Sequence, residues 1–351
     1  MIPPTSFRRT ACAAVMLASA LLACRGDGPI EPPSIISGPK SRIPGSYSVR
    51  DISGDITGPP SRFNDQGDLI TWWRKFVSGG AAAVPPDACS AVALNNRSHV
   101  LCYVGPSSSD GRTLPRNYAI WDGQSLTPLA GLDTFPSHQF YAWALNDSDA
   151  VAVSFTNAEF TNPGCMKSSQ TAVCAAIWRN GQLTFPDLGV FGMTHVNNRL
   201  DLVLQFPAPS SPGNGVAVYD WTSRRVEQLG FSPTEVHDLN EAGWVVGSRN
   251  DGDRRSPKFT AFLYRPGGLT VLGSGEATGV NDAGVVVGTI DGRAVMWKEG
   301  TASPLTFAAN DTQWTVTRAL EINNRGQILA QADDSANAKF NRWVILTPIS
   351  R

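Results

Sequence analysis

Apolar and polar positions along this chain come in short bursts, and the bursts recur. The cleanest copy is ATGVNDAGVVVGTIDGRAVMW, residues 277–297. An apolar run ends in Val280, the turn Asn281-Asp282-Ala283-Gly284 follows, Val285-Val286-Val287-Gly288 runs back, and Ala294-Val295-Met296-Trp297 makes a third run. Short β-branched runs bounded by Asn, Asp and Gly predict strands. The same apolar-Asn step recurs at Phe63-Asn64, Leu94-Asn95, Leu145-Asn146, Val196-Asn197, Leu239-Asn240, Val280-Asn281 and Ile322-Asn323, with spacings of 31, 51, 51, 43, 41 and 42. A period in the forties with several strand signals per unit predicts an all-β chain folded as a β-propeller of four-stranded antiparallel blades.

The turn has a chemical logic. An Asn at the first position can hydrogen-bond its own backbone two residues on, and a Gly at the fourth supplies the left-handed conformation of a type I turn with a bulge. Gly67, Gly243, Gly284 and Gly326 fit, while Ser98, Asp149 and Leu200 stand in their place elsewhere. Leu tolerates positive φ poorly, so the Asn197 turn is expected to be remodelled. The seven Asn residues are turn formers on this reading, not ligands.

The third run repeats as Tyr118-Ala119-Ile120-Trp121, Ala175-Ala176-Ile177-Trp178, Val216-Ala217-Val218-Tyr219, Ala261-Phe262-Leu263-Tyr264 and Ala294-Val295-Met296-Trp297. A small residue followed by bulky ones lets neighbouring sheets approach and then fills the widening gap, so these Trp and Tyr residues belong to the core. A fourth strand is implied at 126–129, 226–230 and 269–273. With these features, residues 60–345 resemble the HAF-repeat family of extracellular bacterial repeat proteins. That unit is an apolar-Asn turn with Gly, an apolar strand, His-Ala-Phe, a Trp and then Leu-Gly. The His of the motif is replaced here by Tyr118, Ala175, Val216, Thr260 and Arg293, so no role for it carries over. The resemblance implies a secreted or surface-exposed propeller-like domain and no agreed activity.

The last unit supplies three strands, at 317–322, 327–331 and 342–346, and the missing fourth sits at the other end, in 47–53. An N-terminal strand completing the last blade would remove the two sheet edges that an open array exposes. Seven blades follow; six, with a degenerate first unit in the short 64–95 interval, is the alternative.

Ahead of this domain, 47–351, the chain reads as export and anchoring. Residues 1–10 carry Arg8 and Arg9 and no acid, 11–23 is a 13-residue apolar run, and Leu21-Leu22-Ala23-Cys24 resembles a lipoprotein lipobox. Thirteen apolar residues are too few to span a bilayer, so 1–23 is a signal peptide and Cys24 the lipidated residue. Arg25 after the Cys favours the bacterial outer membrane or cell surface. The Pro- and Gly-rich stretch 24–46 is a tether, reaching roughly 70 Å if extended. Removing 1–23 leaves 27 basic and 30 acidic side chains, a balance with no electrostatic footprint for nucleic acid. A monomer is expected.

In an oxidising compartment Cys89, Cys102, Cys165 and Cys174 favour disulfides, with local pairs 89–102 and 165–174 chosen among three connectivities. No CxxC or His partner stands at metal-ligand spacing, and the acidic turns at 146–149 and 250–253 lack the remaining ligands of a calcium loop, so no metal and no cofactor are expected. No GxSxG, HExxH or P-loop occurs.

Two residues before each turn Asn stand Arg62, Ala93, Ala144, His195, Asp238, Gly279 and Glu321. If that strand lines the channel, Arg62, His195, Asp238 and Glu321 converge on one rim as a candidate binding site for a polar ligand; the alternative is solvated residues paired with one another. His237 is expected on the opposite strand face, between blades. Two function classes remain open: a non-catalytic surface propeller that binds protein or glycan, or a propeller hydrolase or lyase acting at the channel mouth. A structural envelope role is a third.

Overall fold

The computed structural model describes residues 46–349 apart from 73–74, 81–82, 105–117, 133–138, 158–165, 168–171, 187–191, 208–213, 230–233 and 253–254. The signal segment, Cys24 and the tether as far as residue 45 therefore lie outside the described residues, as does Cys165.

Seven antiparallel sheets follow one another around a ring, which makes the domain a seven-bladed β-propeller. Blade one consists of Pro60–Phe63, Leu69–Thr71 and Phe76–Val77. Blade two is Ser90–Leu94, Val100–Tyr103, Tyr118–Trp121 and Leu126–Pro128. Blade three is Gln139–Leu145, Val151–Asn157, Ala172–Arg179 and Gln182–Thr184, with the two-residue strand Met166–Lys167 added beside the third. Blade four is Gly192–Val196, Leu202–Pro207, Asn214–Asp220 and Arg225–Gln228. Blade five is Thr234–Leu239, Val245–Asn250, Phe259–Arg265 and Gly268–Ser274. Blade six is Glu276–Val280, Val286–Ile290, Arg293–Lys298 and Thr301–Pro304. Blade seven takes Trp314–Ile322, Ile328–Asp334 and Lys339–Pro348 from the C-terminal part of the chain and Tyr47–Asp51 from the N-terminal part.

The short first repeat thus forms a blade of its own, of three strands among the described residues, and the six-blade alternative falls. The clasp is as expected from sequence: Tyr47 pairs Pro348, Val49 pairs Leu346 and Asp51 pairs Val344. Tyr47, 1% exposed, also bonds backbone to backbone with Thr306 and Ala308, and Ile52 packs on Phe63 and Leu69 of blade one. Burial pushes the Tyr47 hydroxyl up to about 12.

The core lies between blades because each sheet has two apolar faces and both need cover. Leu101 and Tyr118 of blade two pack with Phe140, Val151 and Trp178 of blade three; Val246 and Leu263 of blade five pack with Val286 and Trp297 of blade six. The third-strand Trp residues add a polar crossing. Trp121 Nε1 donates to the Ala83 carbonyl, Trp178 Nε1 to Ala130 and Trp297 Nε1 to Leu272, each on the preceding blade. The indoles of Trp178 and Trp297 are thus buried with their one donor satisfied, and that of Trp121 is half-buried.

All seven Asn turns share one conformation. The fourth residue has φ between 60° and 84° in every copy, Leu200 included at 66°, and donates its N–H to the Asn carbonyl. The Asn197 turn is therefore not remodelled. A left-handed Leu costs about 1–2 kcal/mol, but Asn197 Oδ1 accepts the N–H groups of Arg199 and Asp201, and the Asn197 N–H donates to the Asp201 carbonyl. Those bonds outweigh the strain.

Candidate functional site

The innermost strand of every blade carries a β-bulge at the same place, three residues before the turn Asn. The register skips Ser61, Val92, Trp143, Thr194, His237, Thr278 and Leu320. A bulge sets two residues against one on the partner strand and breaks the alternation of faces. Both the extra residue and its successor can then turn toward the axis. His237 consequently lines the channel, alongside His195 and Glu321, and not the gap between blades where strict alternation would put it.

The channel has two sections that share Arg62, His195 and Glu321. The one toward the Asn turns has a volume of about 170 Å³ and the one toward the opposite face about 400 Å³. Arg62, His195, Asp238 and Glu321 all line the first section, so the four side chains singled out by position do come together. Ala93 and Ala144 line it too. At Gly279 any Cβ would meet the Glu321 backbone at 3.0 Å, so the close approach of blades six and seven explains the glycine there.

The four are not paired with one another as ion pairs or acid–base couples. His195 Nε2 lies 3.0 Å from the His237 carbonyl oxygen, and since a carbonyl only accepts, Nε2 carries the proton; Nδ1 takes the Thr194 hydroxyl at 2.9 Å. Asp238 accepts the N–H of Leu239 on one oxygen and of Val280, in the next blade, on the other, both at 2.8 Å. Glu321 accepts the N–H of Phe63, again in the next blade. Arg62 enters none of the ion pairs among the described residues.

Each of these groups has one side open to the channel, yet protein closes on it from all others. Burial and then the Arg62 charge push His195 down to about 3, so it stays neutral. Burial lowers His237 as well. Burial raises Glu321 to about 8 against the opposing pull of Arg62, and raises Asp238 against its two N–H donors.

Above the waist the mouth is built by two closed rings. Each turn Asn donates its side-chain amide to the carbonyl of the next turn Asn, from Asn64 to Asn95 and onward through Asn323 back to Asn64, at 2.9–3.3 Å. The residue after each Asn forms the second ring: the N–H of Asp65, Asn96, Asp147, Asn198, Glu241, Asp282 and Asn324 donates to the side chain of its counterpart in the following blade, at 2.6–2.9 Å. Sequence reasoning missed this ring although its signal was available, since that position is an acid or an amide in all seven copies. Crowding of its carboxylates matters. Burial, then Asp282 and Asp147, raise Glu241 to about 7, and Asp282 is raised by burial and by Asp65 and Asp147.

Aromatic residues were missed as well. Trp143, the bulge residue of blade three, is 44% exposed in the wall of the narrower section, stacked on Tyr141 at 5.5 Å. Trp72, 74% exposed, stands on the wider section with Arg318.

The Cys89–Cys102 disulfide is present, with Cα atoms 4.9 Å apart. The Cys165–Cys174 pair lies outside the described residues. Among the described residues no group of three or more His, Cys, Asp or Glu side chains could hold a metal ion. Asp149, in one of the two acidic turns, is engaged by His99 and Arg97 instead.

No protein-family model matches this chain, and no curated protein sequence does. Among solved structures it is similar to the β-propeller domain of the Trilobed protease from Pyrococcus furiosus, at 9% identity and a TM-score of 0.45, over 75% of this chain and 84% of that one. It is also similar to the Pyrococcus horikoshii acylaminoacyl peptidase (10% identity, TM-score 0.44, 78% of this chain and 50% of that one). A third likeness is to TolB from Acinetobacter baumannii (14% identity, TM-score 0.36, 76% of this chain and 65% of that one). The chain thus spans about half of the peptidase and slightly under two thirds of TolB. These likenesses concern the fold alone.

Proposed function

We propose that this propeller is a non-catalytic binding scaffold for protein or glycan, held at the bacterial cell envelope through lipidation of Cys24. One observation carries the binding half of the reading. His195, Asp238 and Glu321 direct their hydrogen-bonding atoms at the backbone of the following blade, leaving Arg62 as the charged group of the waist without such a bond. A general base needs a free lone pair within reach of the substrate and a midpoint near the working pH. His195 meets neither condition, with both nitrogens engaged and its midpoint near 3. The two hydrogen-bonded rings make the mouth a stiff platform, which suits recognition because little order has to be imposed on binding.

The envelope half rests on the sequence: the apolar run 11–23, the lipobox ending in Cys24, the Pro- and Gly-rich tether 24–46 and the resemblance to extracellular HAF-repeat proteins.

Two experiments test the proposal. Labelled full chain applied to glycan and protein arrays should retain a ligand whose mass is unchanged after prolonged incubation; conversion of many equivalents would make the protein an enzyme. Cys24→Ser should move the protein out of the membrane fraction, and unchanged detergent partitioning would rule out the lipid anchor.

A further inference from the structure

The channel is electrostatically two-faced. Its Asn-turn mouth carries the carboxyl groups of Asp65, Asp147, Glu241 and Asp282. The opposite, wider section is lined by Arg62, Arg318, His237 and Trp72, with Glu321 in its wall and Glu235 and Glu276 close enough to act on His237. An anion is therefore turned away at the Asn-turn mouth, and the guanidinium groups that could receive one stand in the wider section.

Most polar atoms of the wider section already have partners. The Ser61 hydroxyl donates to the Ile70 carbonyl, the Thr278 hydroxyl to Ala319, and His237 Nε2 meets Ser248 Oγ at 3.2 Å. Arg318 gives one nitrogen to Glu276 and keeps the rest of its fork. Arg62 keeps all of its donors. A guanidinium stays charged at any working pH, and in a confined wall its unbonded N–H groups lose hydration unless an anion supplies what water no longer does. Size separates the two sections: ligand sites run from about 300 to 1,000 Å³, and the section of about 400 Å³ qualifies where that of about 170 Å³ does not. Trp72 adds a flat, exposed apolar face on which a ring can stack.

We infer that the wider section of the channel is a binding site for an acidic sugar, with its carboxylate held by Arg62 and Arg318 and the C–H face of its ring on Trp72. This rests on the scaffold reading above and names its ligand class. An acidic peptide fits less well. An extended peptide is recognised largely through main-chain hydrogen bonds to a strand edge, and here the His237 and Ala319 carbonyls and the Val280 N–H of the innermost strands are taken by His195, Thr278 and Asp238.

The test is calorimetric titration of the full chain in mild detergent with trigalacturonate and with a glucuronate-containing hyaluronan tetrasaccharide, against neutral galactotriose and a hexaglutamate peptide. Expected is saturable binding of at least one uronate ligand, none of galactotriose, and a loss of affinity of about tenfold or more in Arg62→Gln, in keeping with charge-assisted bonds. Trp72→Ala, at an exposed position where folding is not at stake, should weaken the same ligand several-fold with an unchanged melting temperature. Failure to bind either uronate, equal binding of galactotriose, or undiminished binding by both variants would overturn the site and leave the scaffold reading standing. Arg62-dependent binding of hexaglutamate alone would overturn the sugar assignment. Shortening of a uronate ligand would instead overturn the scaffold reading, and its loss in Arg62→Gln would uphold the site.

Discussion

Asn323 donates its side-chain amide to the Asn64 carbonyl at 3.0 Å, joining the last blade to the first across 259 residues. It is the closing link of the amide ring, and the same Asn323 accepts the N–H groups of Arg325 and Gln327 on Oδ1. One side chain thereby shapes its own turn and welds two blades.

Replacing it should therefore cost more than an ordinary turn substitution. Asn323→Ala leaves the part-buried N–H groups of Arg325 and Gln327 without their acceptor and takes from the Asn64 carbonyl the donor that links the two blades, at about 1–3 kcal/mol for such a group, so a loss of about 2–4 kcal/mol in urea denaturation is expected. Asn324→Ala, at an exposed position of the outer ring, should cost about 1 kcal/mol or less. Equal losses would mean that the amide ring contributes no more than its neighbour.

The clasp gives a truncation test. Tyr47 is buried, and removing a buried aromatic costs about 3–5 kcal/mol. Deleting residues 25–54 removes the whole strand with Tyr47 and Ile52 and should sharply lower the melting temperature, whereas deleting 25–45 should leave it in place. Two truncations of the same stability would show that the pairing of Tyr47–Asp51 with Lys339–Pro348 is not what closes the ring.

Glu321 sets a pH dependence. Its midpoint rises from 4.5 in the unfolded chain to about 8 in the fold, so the folded state holds the proton longer. That contribution is full below pH 4.5 and is lost as pH rises through 8. Glu241 acts in the same sense but only up to about 7, and His195, lowered from 6.5 to about 3, acts in the opposite sense and only below 6.5. Asp238 and Asp282, raised by burial, act in the same sense as Glu321, so the window from pH 7 to 8 is read as the difference between wild type and Glu321→Gln. Each pH unit between two midpoints corresponds to about 1.4 kcal/mol, less where the channel admits water. Chemical denaturation should show wild-type stability falling more steeply across that window than that of Glu321→Gln; parallel slopes would place the titration elsewhere.

The Cys89–Cys102 bridge closes a loop of 13 residues between adjacent strands of blade two. By the loop-entropy relation such a bridge is worth about 3 kcal/mol. The double variant Cys89→Ala/Cys102→Ala should lose about 2–4 kcal/mol in denaturation under non-reducing conditions. Non-reducing peptide mapping of the same sample reads Cys165 and Cys174 directly, and a link between Cys89 and Cys165 in the wild type would refute the local pairing.

The sequence by itself determined the strands, the turns and the closure, because each depends on residues close in the chain or on a repeat visible by counting. The Asn-to-Gly turn is a contact over three residues, and the strand at 47–53 had only one vacant place in the repeat. Position in the repeat also sufficed to bring Arg62, His195, Asp238 and Glu321 to one channel. Tertiary structure decided what those side chains do there. The bulge that turns His237 inward has no residue signature of its own, being set by how the innermost strand bends against its partner. The amide ring joins groups 31 to 51 residues apart, and in one case 259, so no local pattern announces it. Leu200 keeps a left-handed turn through bonds that Asn197 makes within four residues, a balance that the propensity of Leu alone does not show. Finally, the midpoints of His195 and Glu321 come from burial, which depends on the seven blades closing around them.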